Sequence, residues 1–156
     1  MRILGVSAAA MLLSGCVAMD VQDIQVNTSP EVSHFPGVTK AGTDLPFSKA
    51  VRVGDVIYLS GELGIDPATN ELASGGVGPE TSMIFANIER TLAEFDADLS
   101  DVVKCSVFLD DMAAYGAMNA AYDAALPDPK PARSTFGVNG LALGAEVEIE
   151  CLAVTP

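Results

Sequence analysis

The sequence predicts an α+β domain, a mixed sheet with two helices packed on one of its faces. Three observations carry this. Residues alternate with a strand period at 53–63, 102–109, 132–138 and 146–154. Two segments with helical spacing, about 79–97 and 112–125, fall between those strands. The resulting order is strands, helix, strand, helix, strands, which suits helices gathered on one side of a sheet.

Each element has a local reason. In 53–63, Val56, Tyr58 and Ser60 alternate with Ile57, Leu59 and Gly61. Asp66-Pro67-Ala68-Thr69-Asn70 has turn composition. Gly75-Gly76-Val77-Gly78 reads as a flexible loop ahead of a helix starting near Pro79. Proline suits the first helical turn, and Glu80 complements its positive end. Ile84, Ile88, Leu92 and Phe95 then recur on one helical face. The second helix is rich in alanine, with Met112, Tyr115, Met118 and Tyr122 on one side. Leu126-Pro127-Asp128-Pro129-Lys130-Pro131 ends it, because proline cannot continue a helix. In the last two strands Arg133, Thr135 and Gly137 share a face. Glu146, Glu148, Glu150 and Leu152 lie opposite Val147, Ile149, Cys151 and Ala153. The face away from the helices is expected to carry both Arg133 and the glutamates.

The chain has 156 residues, 8 Lys+Arg and 21 Asp+Glu, a formal net charge of -13. Such a balance argues against nucleic acid and anionic lipid headgroups as partners. It also makes Arg133, set between apolar strand positions, conspicuous. A guanidinium pairs with a carboxylate through a planar fork, and a nearby glutamate can move protons. His34 is the only histidine. It reads as a surface residue, so no histidine-based triad is available. No Cys/His spacing suggests a metal site. Cys105 and Cys151 both fall on apolar strand faces and are expected to be free, buried thiols. An oxidising compartment would permit their pairing, but the sequence shows no geometry for it.

Residues 1–15 have the layout of a secretory signal: Met1-Arg2, then an apolar stretch too short to span a bilayer, which takes about 20 residues. The stretch ends in Leu13-Ser14-Gly15-Cys16, which resembles a bacterial lipobox with Cys16 as the lipidated residue. The expected division is a signal peptide at 1–15, a lipidated cysteine and polar tether at 16–33, and one domain at 34–156. Acyl chains would anchor the chain to a membrane without spanning it. Val17 follows Cys16, so the acidic inner-membrane retention signal is absent. In a diderm bacterium the expected place is the periplasmic face of the outer membrane.

Several segments resemble the Rid family of reactive intermediate deaminases, also called YjgF. They are Pro46-Phe47-Ser48-Lys49-Ala50-Val51, Tyr58-Leu59-Ser60-Gly61-Glu62-Leu63, Val107-Phe108-Leu109-Asp110-Asp111-Met112, Met118-Asn119-Ala120-Ala121-Tyr122, and the run from Pro131 to Val154. None is specific alone, but their order and spacing match from about Phe35 to the C-terminus. The resemblance implies a chorismate-mutase-like homotrimer with clefts between subunits. It also implies hydrolysis of enamine and imine acids, such as 2-aminoacrylate and 2-iminopropanoate, to 2-keto acids and ammonia, without cofactor or metal.

On that resemblance Arg133 binds the substrate carboxylate; the plainer reading is an arginine paired with a neighbouring glutamate. Glu148 holds the attacking water or moves protons, and only the motif separates it from Glu146 and Glu150. Gly61 lets its backbone approach the ligand, or is a simple bulge. Ser60 stands beside it. Asn119 lies near the cleft, or bonds locally within its helix. Thr135 offers a hydroxyl or backbone contact. Phe47 stands where many members have tyrosine, which leaves a hydrophobic wall. The rival from another class is a non-catalytic trimeric lipoprotein that binds a small carboxylate. A third reading is a structural or chaperone-like trimer with a vestigial cleft.

Overall fold

The computed structural model describes residues 29–38 and 42–155. The expected signal at 1–15, Cys16 and the tether as far as residue 28 lie outside the described residues.

The chain begins with two long strands, β1 (Val32–Val38) and β2 (Asp44–Val53), paired antiparallel. β1 starts two residues before the expected domain boundary, because Val32 and Ser33 pair with Val53 and Arg52. Phe35 on this strand packs against Phe95 with its ring tilted, the centroids 4.1 Å apart. The segment read as one strand at 53–63 is divided into β3 (Val56–Leu59) and β4 (Glu62–Leu63). Both pair with the last strand, β9 (Val147–Val154), but with a slip. Tyr58 faces Leu152 while Glu62 faces Ile149, so four steps on one strand match three on the other. That extra residue is a β-bulge at Ser60–Gly61. It turns Gly61 and Leu63 away from the core face that Ile57 and Leu59 occupy.

The expected turn at 66–70 joins a small hairpin of β5 (Ile65–Asp66) and β6 (Glu71–Leu72). Helix α1 (Val77–Ala93) begins two residues earlier than Pro79 suggests and ends before Phe95, whose ring is nevertheless buried. Strand β7 (Val102–Leu109) follows. A short 3-10 turn (Met112–Ala114) leads into helix α2 (Tyr115–Ala125), so the second helical segment is of two kinds. Strand β8 (Ala132–Gly137) then runs parallel to β7, as a strand, helix, strand connection permits.

The main sheet has the order β1-β2-β3-β9-β7-β8, with β4 also on β9. Both helices cover the same face. Ile84, Ile88 and Leu92 of α1, with Met118 and Tyr122 of α2, bury against Ile57, Leu59, Cys105, Val107, Leu109, Val147, Ile149, Cys151 and Ala153. Phe85 meets Tyr122 edge-on at 5.2 Å. No helix among the described residues is long and apolar enough to cross a membrane.

Two expectations fail here. Cys105 and Cys151 are not free thiols: they form a disulfide across β7 and β9. The residues are directly opposed in register and point to the same face, a relation that alternation within single strands does not reveal. Arg133 and the glutamates also do not share a face. Arg133 pairs with Cys105, and Cys105 with Cys151, so Arg133 points to the helix side. Glu148 pairs with Phe108, and Phe108 with Phe136, on the uncovered side. Alternation orders each strand within itself, whereas the register between strands decides which sets coincide.

Candidate carboxylate site

Arg133 lies on β8, at an edge of the sheet, and reaches over to α2. Its Nη2 donates to the Tyr115 hydroxyl at 2.9 Å and to Asn119 Oδ1 at 2.8 Å. The guanidinium carbon lies 4.4 Å from the Tyr122 ring centroid and 5.7 Å from that of Tyr115. Tyr115, Asn119 and Tyr122 follow one another at helical spacing, so one face of α2 forms the clamp. Ring faces attract cations, and neutral oxygens leave the positive charge uncompensated. Among the described residues no carboxylate lies within ion-pair distance of Arg133. The reading of Arg133 as a partner of a neighbouring glutamate is thereby excluded within the described chain.

Two hydroxyls in this region are buried without a hydrogen-bond partner among the described residues, those of Tyr122 and Thr135. Thr135 lies two residues beyond Arg133 on the same strand face. Burial raises the Tyr122 phenol above its ordinary pKa, against a lowering pull from Arg133. The hydroxyl therefore remains a neutral donor. Asn119 thus orients Arg133 and is not spent on local helix bonding.

The three glutamates of the last strand region have different tasks. Glu146 Oε2 accepts from the Val77 amide at 2.9 Å, at the start of α1. Glu80 Oε2 accepts from the Glu146 amide at 2.9 Å. Glu146 is thus a helix-capping group, and Glu150 is exposed on the uncovered face. Glu148 is half-buried, and its pKa is raised, first by burial and then by the charge of Glu150. It lies against Gly61: a Cβ at that position would overlap Glu148 Oε1. The bulge at Ser60–Gly61 therefore aims a side-chain-free position at this carboxylate. Ser60 spends its hydroxyl proton on the Ser48 carbonyl at 2.7 Å, which fixes the bulge to β2. Phe47, on β2, is exposed.

The structure thus forms two groups: Arg133, Asn119 and Thr135 on the helix side, and Glu148 with Gly61 on the other. Tyr115 and Tyr122 were missed as site residues because they read as an apolar helix stripe. The signal for them was the polar Asn119 within that stripe, four residues after one tyrosine and three before the other.

The fold defines the class, a chorismate-mutase-like α+β domain of the YjgF type. The chain belongs to the endoribonuclease L-PSP family, the same Rid or YjgF family that its motifs resemble, whose model matches residues 39–155. Among its relatives is Reactive Intermediate Deaminase A, chloroplastic, of Arabidopsis thaliana. It is 39% identical over 108 residues, which are 69% of this chain and 58% of that protein, less than two thirds of the plant protein's length. The 2-iminobutanoate/2-iminopropanoate deaminase of Mus musculus is 38% identical over 109 residues, 70% of this chain and 81% of that one. The crystal structure of RidA from the Antarctic bacterium Psychrobacter sp. PAMC 21119 matches with a TM-score of 0.69 and 33% identity. The match covers 81% of this chain and 98% of that one.

Proposed function

We propose that the protein hydrolyses small enamine and imine acids, of the 2-aminoacrylate or 2-iminopropanoate type, to 2-keto acids and ammonia. The observation that carries this is the guanidinium of Arg133, which is clamped by neutral groups and has no carboxylate partner among the described residues. The deaminase names of the relatives support the same reaction. The family's description as an endoribonuclease fits this chain less well, because a net charge of -13 repels a phosphate backbone.

In the proposed reaction Arg133 holds the carboxylate so that C2 of the imine faces an ordered water. Glu148 takes a proton from that water as its oxygen bonds to C2. The C=N π pair moves to nitrogen, which receives the proton from Glu148. Glu148 then takes the hydroxyl proton of the resulting aminoalcohol and passes it to the amino nitrogen, the C–N bond breaks as the C=O bond forms, and ammonia leaves the 2-keto acid. Positioning supplies much of the gain, and a carboxyl with a raised pKa suits both halves of the proton transfer.

Arg133 and Glu148 lie on opposite faces of one sheet, so one chain does not bring them to the same small molecule. We infer that the working form is the homotrimer implied by the family resemblance, with each site completed between two copies. The uncovered sheet face supports this, since Tyr58, Phe136 and Val154 leave it 48%, 52% and 42% exposed. Large apolar side chains on one open face mark an interaction surface.

The proposed location is outside the cytoplasmic membrane, lipid-anchored through Cys16. Leu13-Ser14-Gly15-Cys16 supports it, and so does the Cys105–Cys151 disulfide, a bond that persists in oxidising compartments. Imino acids released by extracytoplasmic amino-acid oxidases or dehydrogenases are then the substrates to expect.

The test is a coupled assay on the full-length protein. An L-amino-acid oxidase generates imino acids from a panel of amino acids, and semicarbazide traps what escapes hydrolysis. Suppressed semicarbazone formation with ammonia release supports the reading. No suppression with any member of the panel by a folded protein removes it.

Two further results are expected in that assay. Glu148→Gln should lower kcat/KM about a hundredfold, the usual scale for a positioned acid–base group. In the wild type, activity should rise with pH through the raised pKa of Glu148, because the carboxylate form accepts the water's proton. The stability contribution has the opposite sign. A raised carboxyl pKa favours the protonated folded form, so this contribution is full below the unfolded pKa and is lost as pH rises through the folded one. Urea midpoints measured across that window should show the loss in wild type but not in Glu148→Gln. Gly61→Ala should displace Glu148 and lower kcat/KM on the order of tenfold to a hundredfold. The acidic limb of its pH profile should move, while its melting temperature stays within a few degrees of wild type.

A further inference from the structure

We propose that Tyr115 completes the carboxylate cradle, its hydroxyl proton serving as the second tooth of a fork whose first tooth is an Arg133 N–H. This rests on the reading of Arg133 as a carboxylate anchor. A guanidinium Nη carries two hydrogens. Both hydrogens of Arg133 Nη2 have acceptors already, the Tyr115 hydroxyl at 2.9 Å and Asn119 Oδ1 at 2.8 Å. Nε and Nη1 have no hydrogen-bond partner among the described residues. Each flat edge of the guanidinium that could meet a carboxylate includes Nη2. An incoming carboxylate therefore finds one N–H free at that edge and the other one engaged.

Tyr115 resolves the mismatch. Its oxygen accepts from Arg133, which leaves its own O–H to donate. That proton has no acceptor among the described residues. Accepting from a cation strengthens the phenol as a donor, because chained hydrogen bonds polarise one another. The residue is 39% exposed, so its hydroxyl lies at the open side of the clamp, whereas Tyr122 is buried beneath it. The geometry assigns one carboxylate oxygen to an Arg133 N–H and the other to the Tyr115 O–H. Asn119 keeps the guanidinium in place throughout. This makes Tyr115 a binding residue selective for an anion with two oxygens.

The experiment compares full-length wild type with Tyr115→Phe, which keeps the ring and removes only the hydroxyl. The probes are 2-ketobutyrate and its methyl ester, titrated calorimetrically, and 2-iminobutanoate generated by the oxidase. The expected result is about tenfold weaker binding of 2-ketobutyrate and an equal rise in KM, the scale of one hydrogen bond to a charged group. The fall in kcat should be much smaller, because the contact is the same in ground and transition states. The ester should bind weakly and equally to both proteins, a discrimination that a merely structural tyrosine would not alter. Equal or tighter binding of 2-ketobutyrate by Tyr115→Phe overturns the proposal. If wild type binds 2-ketobutyrate but hydrolyses no imine, the deaminase reading falls and the binding comparison still decides Tyr115. If wild type does not bind 2-ketobutyrate at millimolar concentration, the role given to Tyr115 falls with the carboxylate reading.

Discussion

Arg133→Ala is expected to lower kcat/KM by about a thousandfold while leaving the fold intact. The scale follows from two hydrogen bonds to a charged group, one from Arg133 and one from the hydroxyl it holds, at about 1.5–3 kcal/mol each. Every 1.4 kcal/mol is about tenfold. The stability cost is smaller by far. Arg133 is half-buried, and the groups it leaves behind, Tyr115 and Asn119, are exposed and can turn to water. Its stacking on Tyr122 contributes about 1 kcal/mol at such a site. A melting temperature within a few degrees of wild type, together with lost turnover, is therefore the expected pair of results. Arg133→Lys keeps the charge but loses the planar fork, so it should recover only part of the activity.

The same variant separates the rival readings. In a binding protein without catalysis, wild type releases no ammonia from any imino acid, yet Arg133→Ala loses carboxylate binding. In a structural trimer, Arg133→Ala changes stability and neither binding nor turnover. The structure argues against that last case. A stabilising arginine in so acidic a chain would be expected on a carboxylate, and among the described residues Arg133 has none within ion-pair distance.

Much of the fold was legible because it depends on patterns within single elements. Ile84, Ile88 and Leu92 mark the buried side of α1 in the sequence and line it in the structure. The alternation of Val147, Ile149, Cys151 and Ala153 likewise gives the buried side of β9. What was not legible depends on relations between elements. The bulge at Ser60–Gly61 reverses which side Gly61 faces, and a residue count along one strand does not contain it. The register of β7 with β8 puts Arg133 on the helix side, where its charge would be costly without Tyr115, Asn119 and Tyr122 to receive it. Glu148 could be chosen over Glu146 only by motif. In the structure the two differ in their surroundings: Glu146 accepts from the Val77 amide at the start of α1, and Glu148 faces Gly61.

The Cys105–Cys151 disulfide is expected to contribute about 4 kcal/mol to stability, so that its loss lowers the melting temperature by roughly 10 °C. The two cysteines are separated by 46 residues, and closing a loop of that size in the unfolded chain gives this scale. The loop contains α2 and β8, hence the whole arginine clamp. Cys105→Ala/Cys151→Ala also removes two buried sulfurs, so it mixes the cross-link with lost packing. The cleaner comparison is wild type unfolded in urea with and without a strong reductant, since both samples keep the sulfur atoms. A lower urea midpoint in reductant is the expected outcome, and coincident midpoints would falsify the assignment of a stabilising cross-link. Activity below the lowered melting temperature should change little, because α2 holds Arg133 by contacts that do not involve sulfur. Stability should thus depend on redox state while the chemistry does not. Both cysteines are buried away from thiol exchange, so reduction should proceed through unfolding and not through the folded protein.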